Sequence, residues 1–139
     1  MVLDLNANFY SDEFNTTLIE GLRFLAQNDP PYSIHCTEGK DRAGFTAMLL
    51  EALMGAELQE IIDDYMMSFY NYYGIDKNIE PERYEAVLNT NLLSMLYHVT
   101  ATDNVEELEQ TDLEAAVTDY LLQHGMNESD IRMLKDKLR

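Results

Sequence analysis

Phe14, Leu18, Leu22 and Leu25 recur at steps of four, four and three, with Ser11 just ahead of the run. That spacing predicts an amphipathic helix over residues 12–27 with Ser11 as its N-cap. Asn28-Asp29-Pro30-Pro31 is the strongest breaker in the chain and ends this helix. Tyr32-Ser33-Ile34-His35 is too short for a helix and reads as a buried strand. From Cys36 to Arg42 there is no period, which reads as a loop. Residues 43–54 then form a nearly all-apolar helical stretch ending at Gly55.

Downstream the helical spacing returns. Leu58, Ile61, Ile62, Tyr65, Phe69, Tyr72 and Tyr73 share one face of a predicted helix with Gly74 as its stop, while Tyr70 falls off that face. Pro81 suits the first turn of the next helix. Its inward positions are Tyr84, Val87, Leu88, Leu92, Met95 and Leu96, with a break expected near Asn89-Thr90-Asn91. Thr111-Asp112-Leu113-Glu114 has the form of a capping box opening a helix to about His124, closed by Gly125. Asn127 is placed to cap a last helix with Ile131, Leu134 and Leu138 inward. The sum is five or six helices, the strand at 32–35 and a second candidate strand at Val2–Leu5: a helix-rich α/β chain. A lone buried strand must pair its N–H and C=O groups somewhere. Most of the sheet is therefore expected upstream of this chain or from a second copy, with self-association through the exposed strand edge.

The chain has 139 residues, 46% of them hydrophobic, which suits one globular unit and excludes disorder. No stretch approaches the roughly 18 apolar residues of a membrane span. The opening MVLDLNANFY has no basic cluster, so no signal peptide is read there; the cytoplasm is the expected compartment, with secretion left open because the natural start can lie upstream of Met1. A single cysteine excludes an internal disulfide framework. Twenty-six acids against nine bases give a formal charge of −17, which excludes nucleic acid as a partner. No His, Cys and Asp spacing suits zinc, so no metal or cofactor is expected, and His98 and His124 read as exposed or interfacial helix residues. The acidic run at 103–114 reads as solvated surface. Lys135, Lys137 and Arg139 fall at the end of the last helix, where the dipole favours them. Lys40 and Arg42 have no such explanation, and they lie close to the only cysteine.

That cysteine opens the loop within His35-Cys36-Thr37-Glu38-Gly39-Lys40-Asp41-Arg42-Ala43-Gly44, between the predicted strand and the apolar helix. A loop wrapped onto a helix N-terminus points successive backbone N–H groups at one spot and forms an anion cradle. Those dipoles and the Arg42 guanidinium would both stabilise a thiolate at Cys36. Gly39 allows the backbone angles a cradle needs. Arg42 offers a planar fork matched to two oxygens of a phosphoryl group.

The pattern C-x5-R, preceded by His and followed by Ala-Gly, resembles the phosphate-binding loop of the cysteine-dependent protein tyrosine phosphatase superfamily. HCTEGKDRAG is most similar to the bacterial tyrosine/serine phosphatases with HC-x-x-GKDR-[TA]-G. Gly55, Asp64-Tyr65 and the closing YLL-x-x-G at Tyr120–Gly125 are also similar to that group. The resemblance implies that Cys36 is the nucleophile and forms a phosphocysteine intermediate, and that Arg42 clamps the phosphoryl oxygens. It implies backbone N–H donors from Thr37, Glu38, Gly39, Lys40, Asp41 and Arg42, with His35 supporting the cysteine. Asp41, immediately before the arginine, is the implied general acid. Two departures stand out. Position 43 is Ala where most of the superfamily has Ser or Thr, and only 35 residues precede Cys36, where the superfamily keeps most of its sheet. The chain therefore reads as one unit, the helical C-terminal part of a tyrosine-phosphatase-like fold carrying its strand, C-x5-R loop and helix.

The expected substrates are phosphotyrosine proteins or simple aryl phosphates, with phosphoserine as a second class. A phosphoinositide is disfavoured because Thr37 and acidic Glu38 follow the cysteine. The rival readings are a structural thiol at Cys36 and a non-catalytic phosphate-binding or interaction module, to which Ala43 lends weight. Glu38 reads as a solvated loop residue and Lys40 as an attractor of anionic substrate.

Overall fold

The computed structural model describes residues 8–139, so the candidate strand at Val2–Leu5 lies outside the described residues. Among these residues there are eight α-helices: α1 (Asp12–Gln27), α2 (Arg42–Leu53), α3 (Leu58–Tyr73), α4 (Pro81–Leu88), α5 (Ser94–Thr100), α6 (Val105–Glu109), α7 (Leu113–Gln123) and α8 (Glu128–Leu138). One π-turn segment, Asn89–Leu93, joins α4 to α5.

The middle of the bundle is α2. A helix apolar on nearly every side has no face to give to water and must be surrounded. Phe45, Ala52 and Leu53 are completely buried, and Met48 and Leu49 nearly so. Helix α3 packs on α2, as does α7, while α1 lies along α8. The Phe45 ring stacks on Phe9 at 4.6 Å and meets Phe14 and Tyr120 edge-on. The Tyr120 hydroxyl donates to Asn15 Oδ1 at 2.6 Å across α7 and α1, inside the core. Burial pushes the Tyr120 phenol up to about 12. Arg23 Nε bonds Asp130 Oδ2 at 3.1 Å and fastens α1 to α8.

The helix ends follow local chemistry. Ser11 Oγ accepts from Phe14 N at 3.1 Å, and Asn127 Oδ1 from Asp130 N at 2.8 Å, as their positions predict. At α7 the cap is Asp112, whose Oδ1 accepts from Ala115 N at 3.0 Å, one residue later than the capping-box spacing indicates. Thr111 is occupied elsewhere, its hydroxyl donating to Glu107 O at 2.7 Å. That carbonyl belongs to α6, a short helix in the stretch expected to be solvated surface; Leu108 there is only 1% exposed. The expected break at Asn89-Thr90-Asn91 is a widening of the helix. All three side chains donate to the carbonyl four residues back, at Glu85, Ala86 and Val87. Such back-bonding perturbs the helical ladder without ending it.

The strand does not form. Residues 32–35 are irregular, there is no strand among the described residues, and Ile34 is 41% exposed. A strand exists only as one side of a ladder, and no second strand is present there to pair with it. The segment is instead held by its side chain: the Tyr32 hydroxyl lies 2.8 Å from Leu25 O and 2.5 Å from Asn28 O, at the end of α1. The described residues are thus helix-rich as expected, without the sheet component and without the exposed strand edge proposed for self-association.

Candidate active site

Cys36 sits where this irregular segment turns towards α2. Gly39 adopts φ +77°, a left-handed conformation, and a Cβ there would meet nothing within 4 Å. Here it is the backbone angle that calls for glycine. Asp41 occupies the N-cap position of α2, its carbonyl accepting from Phe45 N at 2.8 Å, but its side chain makes no capping bond. Burial alone would push the Cys36 thiol up. Backbone hydrogen bonding from Ala43, Gly39, Glu38 and Asp41 outweighs it and holds the thiol below the ordinary cysteine value.

Arg42 opens α2 on the same side, with Nη2 at 3.5 Å from Thr37 Oγ1 across the mouth of the loop. Thr46 Oγ1 donates to Arg42 O at 2.9 Å one turn on. Lys40 bonds two carboxylates, Asp41 Oδ2 at 2.8 Å and Glu38 Oε2 at 3.3 Å. Its ammonium also lies 5.9 Å from the centre of the Phe69 ring on α3. Burial disfavours that charge, yet Asp41 and then Glu38 outweigh it and raise the Lys40 pKa. Glu38 takes a second bond, from the Tyr73 hydroxyl at 2.7 Å. That bond, and then Lys40, hold the Glu38 carboxyl below its usual range. His35 is exposed on the approach to the loop, and the Thr37 side chain is exposed beside Arg42.

Behind the loop the fit is close. A Cβ on Gly44 would stand 2.9 Å from Tyr65 Cε2, so glycine at 44 lets α3 approach the first turn of α2. The Tyr65 hydroxyl is buried without a hydrogen-bond partner among the described residues. Burial, then the charges of Asp41 and Cys36, push its pKa upwards. Nearby Glu51 on α2 faces Asp64 on α3. Burial first, then the hydrogen bond and charge of Asp64, push the Glu51 carboxyl up to about 8.

In front, a groove of about 570 Å³ runs from Cys36 and Arg42 along an apolar wall of Leu18, Leu22, Leu25 and Ile34. Sequence reasoning missed this wall, because the period of α1 marks an apolar face without saying what it borders. It also missed Tyr73. The helical wheel puts Tyr72 and Tyr73 inward, but they are 59% and 41% exposed. The last turn of α3 runs past the core, and Met66 fills the inward place. Tyr70, 52% exposed, is outward as its position indicates. Among the described residues no group of three His, Cys, Asp or Glu side chains is arranged to hold a metal ion.

The sequence profile of the tyrosine phosphatase family matches residues 3–139. A putative tyrosine-protein phosphatase of Cupriavidus necator is 42% identical over 48 residues, 34% of this chain and 18% of the relative. A tyrosine-protein phosphatase of Nostoc commune is 41% identical over 56 residues, 40% of this chain and 19% of the relative. The matched part of the chain thus spans about a fifth of the length of these curated relatives. No solved structure matches the chain significantly.

Proposed function

The chain belongs to the tyrosine phosphatase family, and from that premise we propose that residues 36–42 are the phosphate cradle of a phosphomonoester hydrolase acting on phosphotyrosine. The observation that supports this best is the setting of Cys36: its loop turns through left-handed Gly39 onto the start of α2, Arg42 reaches Thr37 across the mouth, and backbone N–H donors hold the thiol below its ordinary value. The same donors that favour a thiolate favour the equatorial oxygens of a phosphoryl group placed against it. Arg42 adds a bidentate cation on the open side. In the first step the Cys36 thiolate attacks phosphorus, an S–P bond forms, and the bond to the leaving oxygen breaks. A proton from Asp41 neutralises that oxygen. In the second step water attacks phosphorus, the S–P bond breaks, thiolate leaves, and the water proton returns to Asp41.

In this reading the chain is one unit, the C-terminal portion of a phosphatase domain, and phosphoserine is a second substrate class. The deciding experiment is turnover of para-nitrophenyl phosphate by wild type and Cys36→Ser, with vanadate binding measured in parallel. Turnover should vanish while oxyanion binding survives; full activity in the variant would remove Cys36 from the mechanism. Asp41→Asn should slow phenyl phosphate far more than para-nitrophenyl phosphate, because only the poorer leaving group needs the proton. Equal slowing would leave Asp41 as a loop-shaping residue.

One observation favours a second reading, a phosphate-binding module without turnover. Ala43, 9% exposed at the base of the cradle, brings no hydroxyl to help the thiolate depart. Rapid-quench kinetics separates the two: a burst near one equivalent means slow phosphocysteine breakdown, and no product at all means binding alone.

A further inference from the structure

Glu38 is out of place in a cradle for a dianion. It lies between Thr37 and Gly39, in the run whose N–H groups face Cys36, and a free carboxylate there would repel phosphate. The structure keeps it turned away. Its Oε2 accepts from the Tyr73 hydroxyl at 2.7 Å and lies 3.3 Å from Lys40 Nζ, so both bonds fall on one oxygen and pull towards α3. Tyr73 is itself held by rings, Phe69 at 5.8 Å and Tyr72 at 4.8 Å between centroids. Lys40, shared between Glu38 and Asp41, completes a chain of contacts from the last turn of α3 to the first residue before α2.

We propose that Tyr73 is a positioning residue of the cradle: its hydroxyl latches Glu38 against α3 and so keeps a negative charge off the bound oxyanion. The proposal rests on the reading of residues 36–42 as a phosphate site. It goes beyond that reading by assigning to an exposed tyrosine, far downstream of Cys36 in the chain, control over the affinity of the loop. Tyr73→Phe keeps the ring and its contacts with Phe69 and Tyr72, so the fold has no reason to change. With the hydroxyl gone, Glu38 is tethered by Lys40 alone and samples positions facing the cradle.

The test needs no turnover. Cys36 in the full chain is alkylated by iodoacetamide, and the vanadate concentration that halves the rate is measured. Tyr73→Phe should raise that concentration by about threefold to fivefold, the size of one partly screened charge contact. In a Glu38→Gln background the same substitution should have no effect, because no charge remains to be held away. That dependence on charge is what a merely structural tyrosine would not show. Equal half-protection in wild type and Tyr73→Phe, or an equal loss in the Glu38→Gln background, would overturn the latch while leaving the phosphate site standing. Failure of vanadate to protect wild-type Cys36 at all would overturn the site reading and the latch with it.

Discussion

The loop of residues 36–42 and the bundle around Phe45 obey opposite rules, although one helix belongs to both. In the bundle side chains are satisfied by apolar neighbours, and the backbone is regular. In the loop the backbone leaves regular structure, a glycine takes a left-handed angle, and N–H groups converge on a sulfur that burial alone would disfavour as an anion. The bundle is stabilised by what it excludes, and on the reading proposed above the loop is shaped for what it admits. Side-chain volume should govern the first region, backbone angle and charge the second.

Four substitutions break or sharpen that contrast. Phe45→Ala removes the ring on which three others rest and should cost about 3–5 kcal/mol in urea denaturation. A cost below about 1 kcal/mol would mean that the bundle collapses freely around α2. Arg42→Lys should leave the urea midpoint almost unchanged but weaken vanadate binding about a hundredfold, because a point charge replaces a fork. Comparable losses in both measurements would place Arg42 in the fold as much as in the site. The two glycines dissect the boundary between the regions. Gly44→Ala has no room against Tyr65 and should lower stability by about 1–3 kcal/mol. Gly39→Ala has room but the wrong angle, and about 1–2 kcal/mol of strain should appear as weaker vanadate binding before it appears in stability.

The smallest effect is one of pH. Glu51 keeps its proton in the folded chain up to about pH 8, whereas its ordinary carboxyl value is 4.5. Across that window the folded state holds a proton that the unfolded state has released, so this pair makes stability fall as pH rises and level off above it. Below the window the contribution is fully present. Glu51→Gln should flatten the fall of melting temperature between about pH 5 and pH 8 by a few degrees, the full linkage being cut down by solvent screening of the partly exposed carboxyl. An unchanged slope would mean that solvent reaches the Glu51–Asp64 pair well enough to screen it.

Helices are the legible part of the sequence. The limits of α1 and α3, the cap at Asn127 and the central burial of α2 are all set by spacing and end residues, which act within a few positions. Cys36, Gly39 and Arg42 are legible as candidate chemistry for the same reason: loop, glycine and helix start are neighbours in the chain. The strand at 32–35 is not formed among the described residues, because pairing depends on a partner that they do not supply. Tyr73 is misread because a wheel assigns a face to a whole helix, whereas α3 outruns the core by its last turn. Leu108 is hidden between Glu106-Glu107 and Glu109-Gln110, whose polarity says nothing of a single buried position.

On the reading proposed for residues 36–42, α2 is at once the floor of the cradle and the centre of the bundle, so occupancy of the one is thermodynamically linked to integrity of the other. An oxyanion that binds only the assembled loop adds RT ln(1 + [L]/Kd) to the stability of the chain. At about a hundred times its dissociation constant that is about 2.7 kcal/mol. Vanadate should therefore raise the melting temperature of the helical signal as a whole, through residues as far from Cys36 as α8. Thermal shift with oxyanions and phosphorylated peptides then tests the proposed site with no reaction to follow.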